Sequence, residues 1–198
     1  MLEQREMSDY ESLKSLCERR KSYRQFLAGD TLSAEEVQKI LDLAALSPFA
    51  SGRKNWKIAV VTDKAVISAL ARQVREDANA LAEKMEEEPA GFFLNYARSF
   101  TFFEDAPALF VPYCRESATM KSLLRESATQ DILQWDRDNL TKSLSCVAML
   151  ILLAAESLNL GACYMTGPLL AGKCLNKVLN LPESVLLGAI IPVGHKTD

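Results

Sequence analysis

Histidine is almost missing from this sequence of 198 residues, which contains only His195. A hydrolase built on a Ser-His-Asp or Cys-His arrangement would have to use that residue, and no GxSxG-type turn precedes it. A zinc site would need carboxylates to complete its set of ligands. The shortage counts against acid–base catalysis by side chains and against metal binding, and it favours chemistry carried by a cofactor.

The spacing of the cysteines supports neither a disulfide framework nor a zinc site. The five cysteines are an odd number and show no CxxC or Cys/His spacing. We expect reduced thiols, most of them buried, because an unpaired cysteine behaves as a small apolar side chain. The residues concerned are Cys17, Cys114, Cys146, Cys163 and Cys174.

Long apolar runs are absent as well. The longest, Cys146–Ala155 and Val185–Val193, reach about half of the ~20 residues that a membrane-spanning helix needs. The N-terminal residues are charged and lack the apolar core of a signal peptide. A net charge of −3 gives no reason to expect nucleic acid as a partner. We therefore expect one cytoplasmic domain over residues 1–198, with no membrane and no nucleic-acid partner.

The pattern of apolar residues predicts helices and strands in an order typical of an α+β fold. Ser33 and Glu36 form a capping box at the start of one helix. The predicted helices are Tyr10–Arg20, Ala34–Leu46, Lys64–Glu88, Leu144–Leu158 and Ala171–Leu179. The predicted strands are Trp56–Val61, Pro107–Tyr113 near a sheet edge, Ala162–Met165 and Val185–Val193.

Two further features of this pattern bear on function. The helix Leu144–Leu158 is apolar almost all round, so it is either buried on most sides or packed against a second subunit. Asn159-Leu160-Gly161 ends it with the C-terminal glycine signal. The polar, weakly periodic stretch Arg115–Arg137 is open to interpretation as a mobile helix or a lid.

The first segment with chemical potential is Arg20-Lys21-Ser22-Tyr23-Arg24-Gln25-Phe26, called here the basic segment. Its cations and hydroxyl directly follow a helix and suit a phosphate with a neighbouring polyol. Arginine offers a planar fork of donors, and serine adds a directional hydrogen bond. The alternative is a basic helix end that complements the helix dipole.

The second segment is the loop Leu46–Trp56, called here the Pro48 loop. Pro48 and Gly52 impose an unusual backbone path, and the small residues around them let the backbone approach a flat ligand. An ordinary connection between a helix and a strand would show the same composition.

The third segment is Leu158–Pro168. A buried helix, a glycine break, a short extended piece and the Gly167-Pro168 turn would present successive backbone N–H groups to a ligand. A plain helix-to-strand connection remains the alternative.

Taken together, these segments resemble the nitroreductase family. That family shows an Arg-x-Ser-x-Arg-type segment after the first helix, a Ser/Ala-Pro-…-Trp segment before the first strand, and a Leu-Gly-…-Gly turn near the C-terminus. The matching stretches here are Arg20–Phe26, Ser47–Trp56, Leu153–Gly167 and Ile190–Gly194. The resemblance implies a central, mostly antiparallel sheet surrounded by helices, and an intertwined homodimer with active sites at the subunit interface.

The resemblance also implies a flavin enzyme. FMN is the expected cofactor, with NADH or NADPH as hydride donor and a nitro compound, a quinone or free flavin as acceptor. In the implied ping-pong cycle the nucleotide reduces the flavin and leaves before the acceptor binds. No catalytic side chain is expected, because the flavin carries the chemistry.

Carried over position by position, the resemblance assigns each segment a part of the cofactor. Arg20 and Ser22 would serve the phosphate and ribityl chain, and Arg24 would lie near the pyrimidine edge. The Thr166 N–H would lie near flavin N5, and the Pro48 loop would reach the flavin of the partner subunit. The full set is Arg20, Lys21, Ser22, Arg24, Pro48, Phe49, Ala50, Ser51, Tyr164, Met165, Thr166, Gly167, His195 and Lys196.

The sequence departs from the family pattern at two places. Phe49 stands where many relatives have a small residue, and we expect it to narrow the pocket against bulky nitroaromatic acceptors. Many relatives also carry phosphate-binding cations on a C-terminal arm beyond the last strand. Here either His195 or Lys196 replaces that contact, or the phosphate depends on Arg20, Lys21 and Arg24.

Two rival hypotheses stay open at this point. One keeps the fold and flavin but changes the chemistry to dehalogenation, flavin destruction or a biosynthetic dehydrogenation. The other is a helical dimerisation protein without a cofactor, in which Leu144–Leu158 serves only as a packing surface.

Overall fold

The computed structural model describes residues 8–27, 29–49, 55–115 and 123–197. The α-helices are α1 (Asp9–Arg19), α2 (Ala34–Ala44), α3 (Lys64–Ala82), α4 (Glu87–Ala97), α5 (Gln130–Ser157) and α6 (Lys173–Val178). The strands are β1 (Trp56–Val61), β2 (Ala108–Arg115), β3 (Leu160–Ala162), β4 (Val185–Leu187) and β5 (Ile191–His195). Turns of 3₁₀-helix cover Arg98–Asp105, Arg125–Ser127 and Gly167–Ala171.

The strands form one antiparallel sheet in the order β1-β2-β5-β3, with β4 also paired to β2. Helices cover both faces. Leu109 and Val111 face a cluster that includes α3, whereas Phe110 faces a second cluster that includes α2 and α5. Burial on both faces explains why β2 reads as a continuous apolar run. The predicted α+β class and antiparallel sheet are confirmed.

The predicted edge position of the second strand is wrong. β2 is central, with β1 on one side and both β4 and β5 on the other. The Pro112 carbonyl accepts a hydrogen bond of 2.8 Å from the N–H of Gly188, in the link between β4 and β5. In an extended residue the backbone nitrogen and carbonyl point to the same side of the strand. The nitrogen of Pro112 therefore faces the link between β4 and β5, where its missing N–H interrupts no strand pairing.

Two other predicted elements divide in the structure. The predicted strand Val185–Val193 is two short strands, because the chain leaves β2 at Gly188 and returns to it at Ile191. The predicted helix Lys64–Glu88 ends at Ala82, and α4 starts at Glu87. Pro89 therefore lies in the first turn of α4, where its missing N–H removes no helical hydrogen bond.

Helix α5 extends the predicted helix Leu144–Leu158 by several turns toward the N-terminus. By length and composition alone it could cross a membrane, but half of its most apolar window is buried inside the fold. Leu144, Val147 and Ile151 are fully buried, as expected for a core helix. Its end does not use the predicted glycine: Asn159 takes the left-handed conformation with φ 59°.

The link between β4 and β5 packs tightly on α5. A Cβ atom added to Gly188 would lie 2.7 Å from the Cβ atom of Leu144. We expect Gly188→Ala to lower the free energy of unfolding by about 1–3 kcal/mol, the usual cost of overpacking a core. Urea denaturation measures it. The control is Gly91→Ala, at a helical position with no heavy atom within 4 Å; equal stability of the two variants would contradict the packing argument.

Candidate functional site

The basic segment lies beside β3, so the first and third segments of the sequence analysis come together. Ser22 forms a parallel bridge with Ala162, and the N–H of Tyr23 donates to the Ala162 carbonyl at 2.9 Å. The segment thus continues the sheet beyond its β3 edge. Phe26 forms a second bridge with Lys196.

The basic segment acts electrostatically on the buried thiol of Cys163, the residue directly after β3. Burial raises the pKa of Cys163, while the charge of Arg24, a hydrogen bond with Ser22 and the charge of Arg20 act in the opposite direction. The net shift is upward, so Cys163 stays a neutral thiol.

The cations of the basic segment differ from the neighbouring arginine in their partners. The guanidinium of Arg19 lies 3.7 Å from the buried carboxylate of Glu156. Within the ranges that the structure describes, no carboxylate lies within ion-pair distance of Arg20, Lys21 or Arg24. The Arg24 guanidinium lies 5.5 Å from the ring centroid of Phe102. The segment thus presents positive charge that the described carboxylates leave uncompensated.

Residues 164–167 follow β3 and include a backbone donor without a described acceptor. Met165 exchanges two backbone hydrogen bonds with Ile190, of 3.1 and 2.9 Å, which fixes the chain on either side. Among the described residues no backbone carbonyl or side chain accepts from the N–H of Thr166, an exposed residue. At Gly167 an added Cβ atom would lie 2.4 Å from the ring of Phe100. The backbone here is held firmly while one of its donors is available.

A cavity of about 440 Å³ adjoins Tyr164 and Thr166. The Tyr164 hydroxyl lies 3.3 Å from the hydroxyl of Ser145 on α5. Gln134 and Arg137 also line the cavity. The end of the polar stretch Arg115–Arg137, which the sequence leaves open as a mobile helix or a lid, therefore belongs to α5 and borders this cavity. Residues 116–122 of that stretch lie outside the described residues.

The Pro48 loop is only partly described. Pro48 is exposed, and the ring of Phe49 lies 6.4 Å from that of Trp56, against the core of its own chain. Ala50 and Ser51 lie outside the described residues. A role of this loop at a partner's cofactor stays a prediction.

His195 and Lys196 both have carboxylate partners. The His195 ring contacts Asp30 at 2.8 Å and Glu36 at 3.2 Å, and Lys196 donates to Glu156 at 2.9 Å. Their predicted contact with a phosphate stays a prediction, but these partners already engage both side chains. The sequence contains one indication of the contact between Lys196 and Glu156: Glu156 is the only charged residue in the apolar stretch Leu144–Leu158.

Sequence reasoning also missed the role of Tyr23. Its hydroxyl accepts from the backbone N–H of Thr197 and lies 2.6 Å from the Thr197 hydroxyl. No local pattern marks this contact, because the two residues are far apart in the sequence. Within the described ranges there is also no group of three His, Cys, Asp or Glu side chains that could hold a metal ion.

The sequence profile of the nitroreductase family matches residues 17–195 of this chain. This span includes the basic segment, the Pro48 loop and residues 164–167. The chain belongs to the nitroreductase family. Among curated proteins no sequence match is significant.

Solved structures of this family share the fold. A BluB-like flavoprotein from Clostridium difficile 630 is 20% identical, with a TM-score of 0.81 over 98% of this chain and 92% of its own. An iodotyrosine deiodinase bound to FMN and 3-iodo-L-tyrosine is 21% identical, with a TM-score of 0.68 over 94% and 90%. An FMN-dependent nitroreductase from Clostridium difficile R20291 is 24% identical, with a TM-score of 0.62 over 92% and 87%. At these identities the likeness establishes the nitroreductase fold.

The contacts of His195 should make stability depend on pH. The hydrogen bond with Asp30 raises the pKa of His195 above its usual 6.5. Burial alone would raise the pKa of Asp30, but hydrogen bonds from the backbone and ring of His195 lower it below 3.8. Hydrogen bonds from Ser33 lower the pKa of Glu36 below 4.5. These shifts all favour the charged ring of His195 between two ionised carboxylates.

We expect His195→Gln to destabilise the protein more at about pH 6 than at about pH 9. A raised histidine pKa contributes stability that is fully present below the unfolded pKa and is lost as pH rises through the folded pKa. The carboxylates, with lowered pKa values, lose their contribution only as pH falls through those values. Urea unfolding of both proteins at the two pH values measures the difference. A pH-independent difference would contradict the ion-pair interpretation.

Proposed function

We propose that this protein is an FMN-dependent oxidoreductase that passes hydride from NADH or NADPH to a small organic acceptor. The observation that carries the proposal is the pairing of the basic segment with Ala162 of β3, the strand from which residues 164–167 follow along the chain. Cations without described carboxylate partners and a backbone N–H that lacks a described acceptor thus belong to segments that β3 connects. A phosphorylated flavin needs both: cations for its phosphate and a neutral donor for its ring.

The donor set fits FMN in chemical type. Arg20 and Ser22 are proposed to hold the phosphate and ribityl chain, with Lys21 adding charge at the rim. Arginine binds phosphate through paired N–H donors, and serine adds a hydrogen bond of defined direction. The three side chains belong to one short segment, so fixing its backbone fixes all of them.

Arg24 and Thr166 are proposed to act on the flavin ring. When bound, FMN supplies the hydride transfer between nucleotide and acceptor. A fixed guanidinium at the pyrimidine edge stabilises the negative charge that develops there on reduction. The N–H of Thr166 would donate a hydrogen bond to the flavin ring and orient it without acting as an acid or base. Because the flavin would supply the hydride transfer, no histidine is required for the chemistry.

A homodimer with its active sites at the subunit interface is part of the proposal. Large apolar side chains remain exposed on one chain: Leu46 is 73% exposed, Trp135 57% and Met149 51%. Leu46 is the first residue of the Pro48 loop, and Trp135 and Met149 lie on α5. Such residues are usual where a second subunit packs, and that subunit would bring its Pro48 loop to the cofactor.

Dehalogenation is the second candidate. The iodotyrosine deiodinase and the FMN-dependent nitroreductase both share the fold of this chain, with TM-scores of 0.68 and 0.62, so the fold is compatible with either chemistry. The acceptor, rather than the flavin site, separates the two candidates.

Reduction by nicotinamide nucleotides tests the proposed activity directly. The protein reconstituted with FMN should show flavin absorption in the visible range, and NADH or NADPH should bleach it under anaerobic conditions. Stopped-flow absorbance gives the rate with each nucleotide. A flavin-loaded protein that neither nucleotide bleaches would rule out the reductase activity, and a protein that never binds FMN would favour the cofactor-free dimerisation hypothesis.

Arg20→Ala tests the proposed phosphate contact. Loss of a charged hydrogen bond should weaken FMN binding by roughly 1.5–3 kcal/mol. Fluorescence titration of FMN with the apoprotein measures it. The matched control is Arg19→Ala, which removes the adjacent arginine whose guanidinium lies 3.7 Å from Glu156. Equal affinity of the Arg20 variant and the unmodified protein would remove Arg20 from the site.

A further inference from the structure

Two glycines lie directly opposite each other on neighbouring strands. Gly161 of β3 is the register partner of Gly194 of β5. An added Cβ atom at Gly161 would lie 2.2 Å from the ring of Tyr23, and one at Gly194 would lie 2.6 Å from the ring of Pro107 and 2.8 Å from that of Phe26. Residues directly opposite in an antiparallel pair present their side chains on the same face. The glycine pair therefore leaves one flat area on the sheet, and two aromatic rings occupy it.

Both rings come from the basic segment. Tyr23 and Phe26 contact each other edge to face, with centroids 5.7 Å apart and planes at 74°. Their rings approach the sheet more closely than any residue with a Cβ atom would allow. The contact thus depends on glycine at both sheet positions and on a ring at position 23.

Hydrogen bonds hold the same segment at its edges. Tyr23 donates its N–H to Ala162, and its hydroxyl contacts Thr197. The tyrosine thereby joins β3 to the segment that follows β5. Because Tyr23 lies between Ser22 and Arg24 in the sequence, the place of its ring determines the backbone position of both neighbours.

We propose that Tyr23, packed on Gly161, is the positioning residue that aligns Arg20 and Ser22 with the cofactor phosphate. The inference rests on the proposed FMN site and adds to it a residue that does not contact the phosphate. Displacing the ring moves the donors of the segment, whereas the core clusters on the two faces of the sheet stay in place. Phosphate recognition therefore depends on the contact between tyrosine and glycine.

Riboflavin provides the readout, because it is FMN without the phosphate. The dissociation constant of riboflavin divided by that of FMN, both from fluorescence titration, isolates the contribution of the phosphate to binding. A general loosening of the fold weakens both ligands together and leaves the ratio unchanged. Displaced phosphate donors lower the ratio itself.

Gly161→Ala should reduce the preference for FMN over riboflavin by about tenfold, the equivalent of one charged hydrogen bond. Tyr23→Leu, which removes the ring, should reduce this preference by a similar factor. It provides the test of the positioning role if the Gly161→Ala variant does not fold. Tyr23→Phe keeps the ring and should stay within about twofold of the unmodified protein. In the Tyr23→Leu background, adding Gly161→Ala should have little further effect, because the ring it displaces is gone.

The control is Gly91→Ala, where the added methyl group meets nothing within 4 Å and the ratio should not change. If the unmodified protein prefers FMN and both Gly161→Ala and Tyr23→Leu keep that preference, the positioning role is overturned while the proposed function stands. If the unmodified protein binds neither flavin, or binds both equally, the proposed phosphate site itself fails and the inference fails with it.

Discussion

The hydrogen bond from the N–H of Tyr23 to the carbonyl of Ala162 is the contact on which the candidate site depends. It joins a segment near the start of the chain to a strand near its end. It is a backbone hydrogen bond between the basic segment and β3, the edge strand from which residues 164–167 follow along the chain. A site assembled from such distant parts exists only in the folded chain, so its ligand affinity and the order of this edge are linked.

Close packing acts together with that hydrogen bond in this part of the sheet. Glycines at positions 161, 167, 188 and 194 each leave a space that a neighbouring side chain fills. At three of these positions the neighbour is a ring or proline that a methyl group would displace. A site held by such contacts tolerates few substitutions even in residues that never touch a ligand, because shape is fixed by backbone approach.

Local features were predictable from the sequence, and long-range ones were not. The capping box of Ser33 and Glu36 and the bounds of β1 are correct, because adjacent residues decide them. The central place of β2 was missed, since Pro112 is tolerated only through the break between its two partner strands. The contact of the basic segment with β3 has no local signal; the order of three motifs that resemble the family implied only that these segments serve one cofactor.

The distribution of negative charge explains why some cations of this region are structural and others are available. Glu156 is buried in the last turn of α5 and takes both Arg19 and Lys196 as partners, at 3.7 and 2.9 Å. Asp30 and Glu36 take the ring of His195 in the same way. Burying the Glu156 carboxylate without a cation would be costly, so its two partners have a structural role. Arg20, Lys21 and Arg24 have no carboxylate partner among the described residues, which leaves their donors free for the proposed anionic ligand.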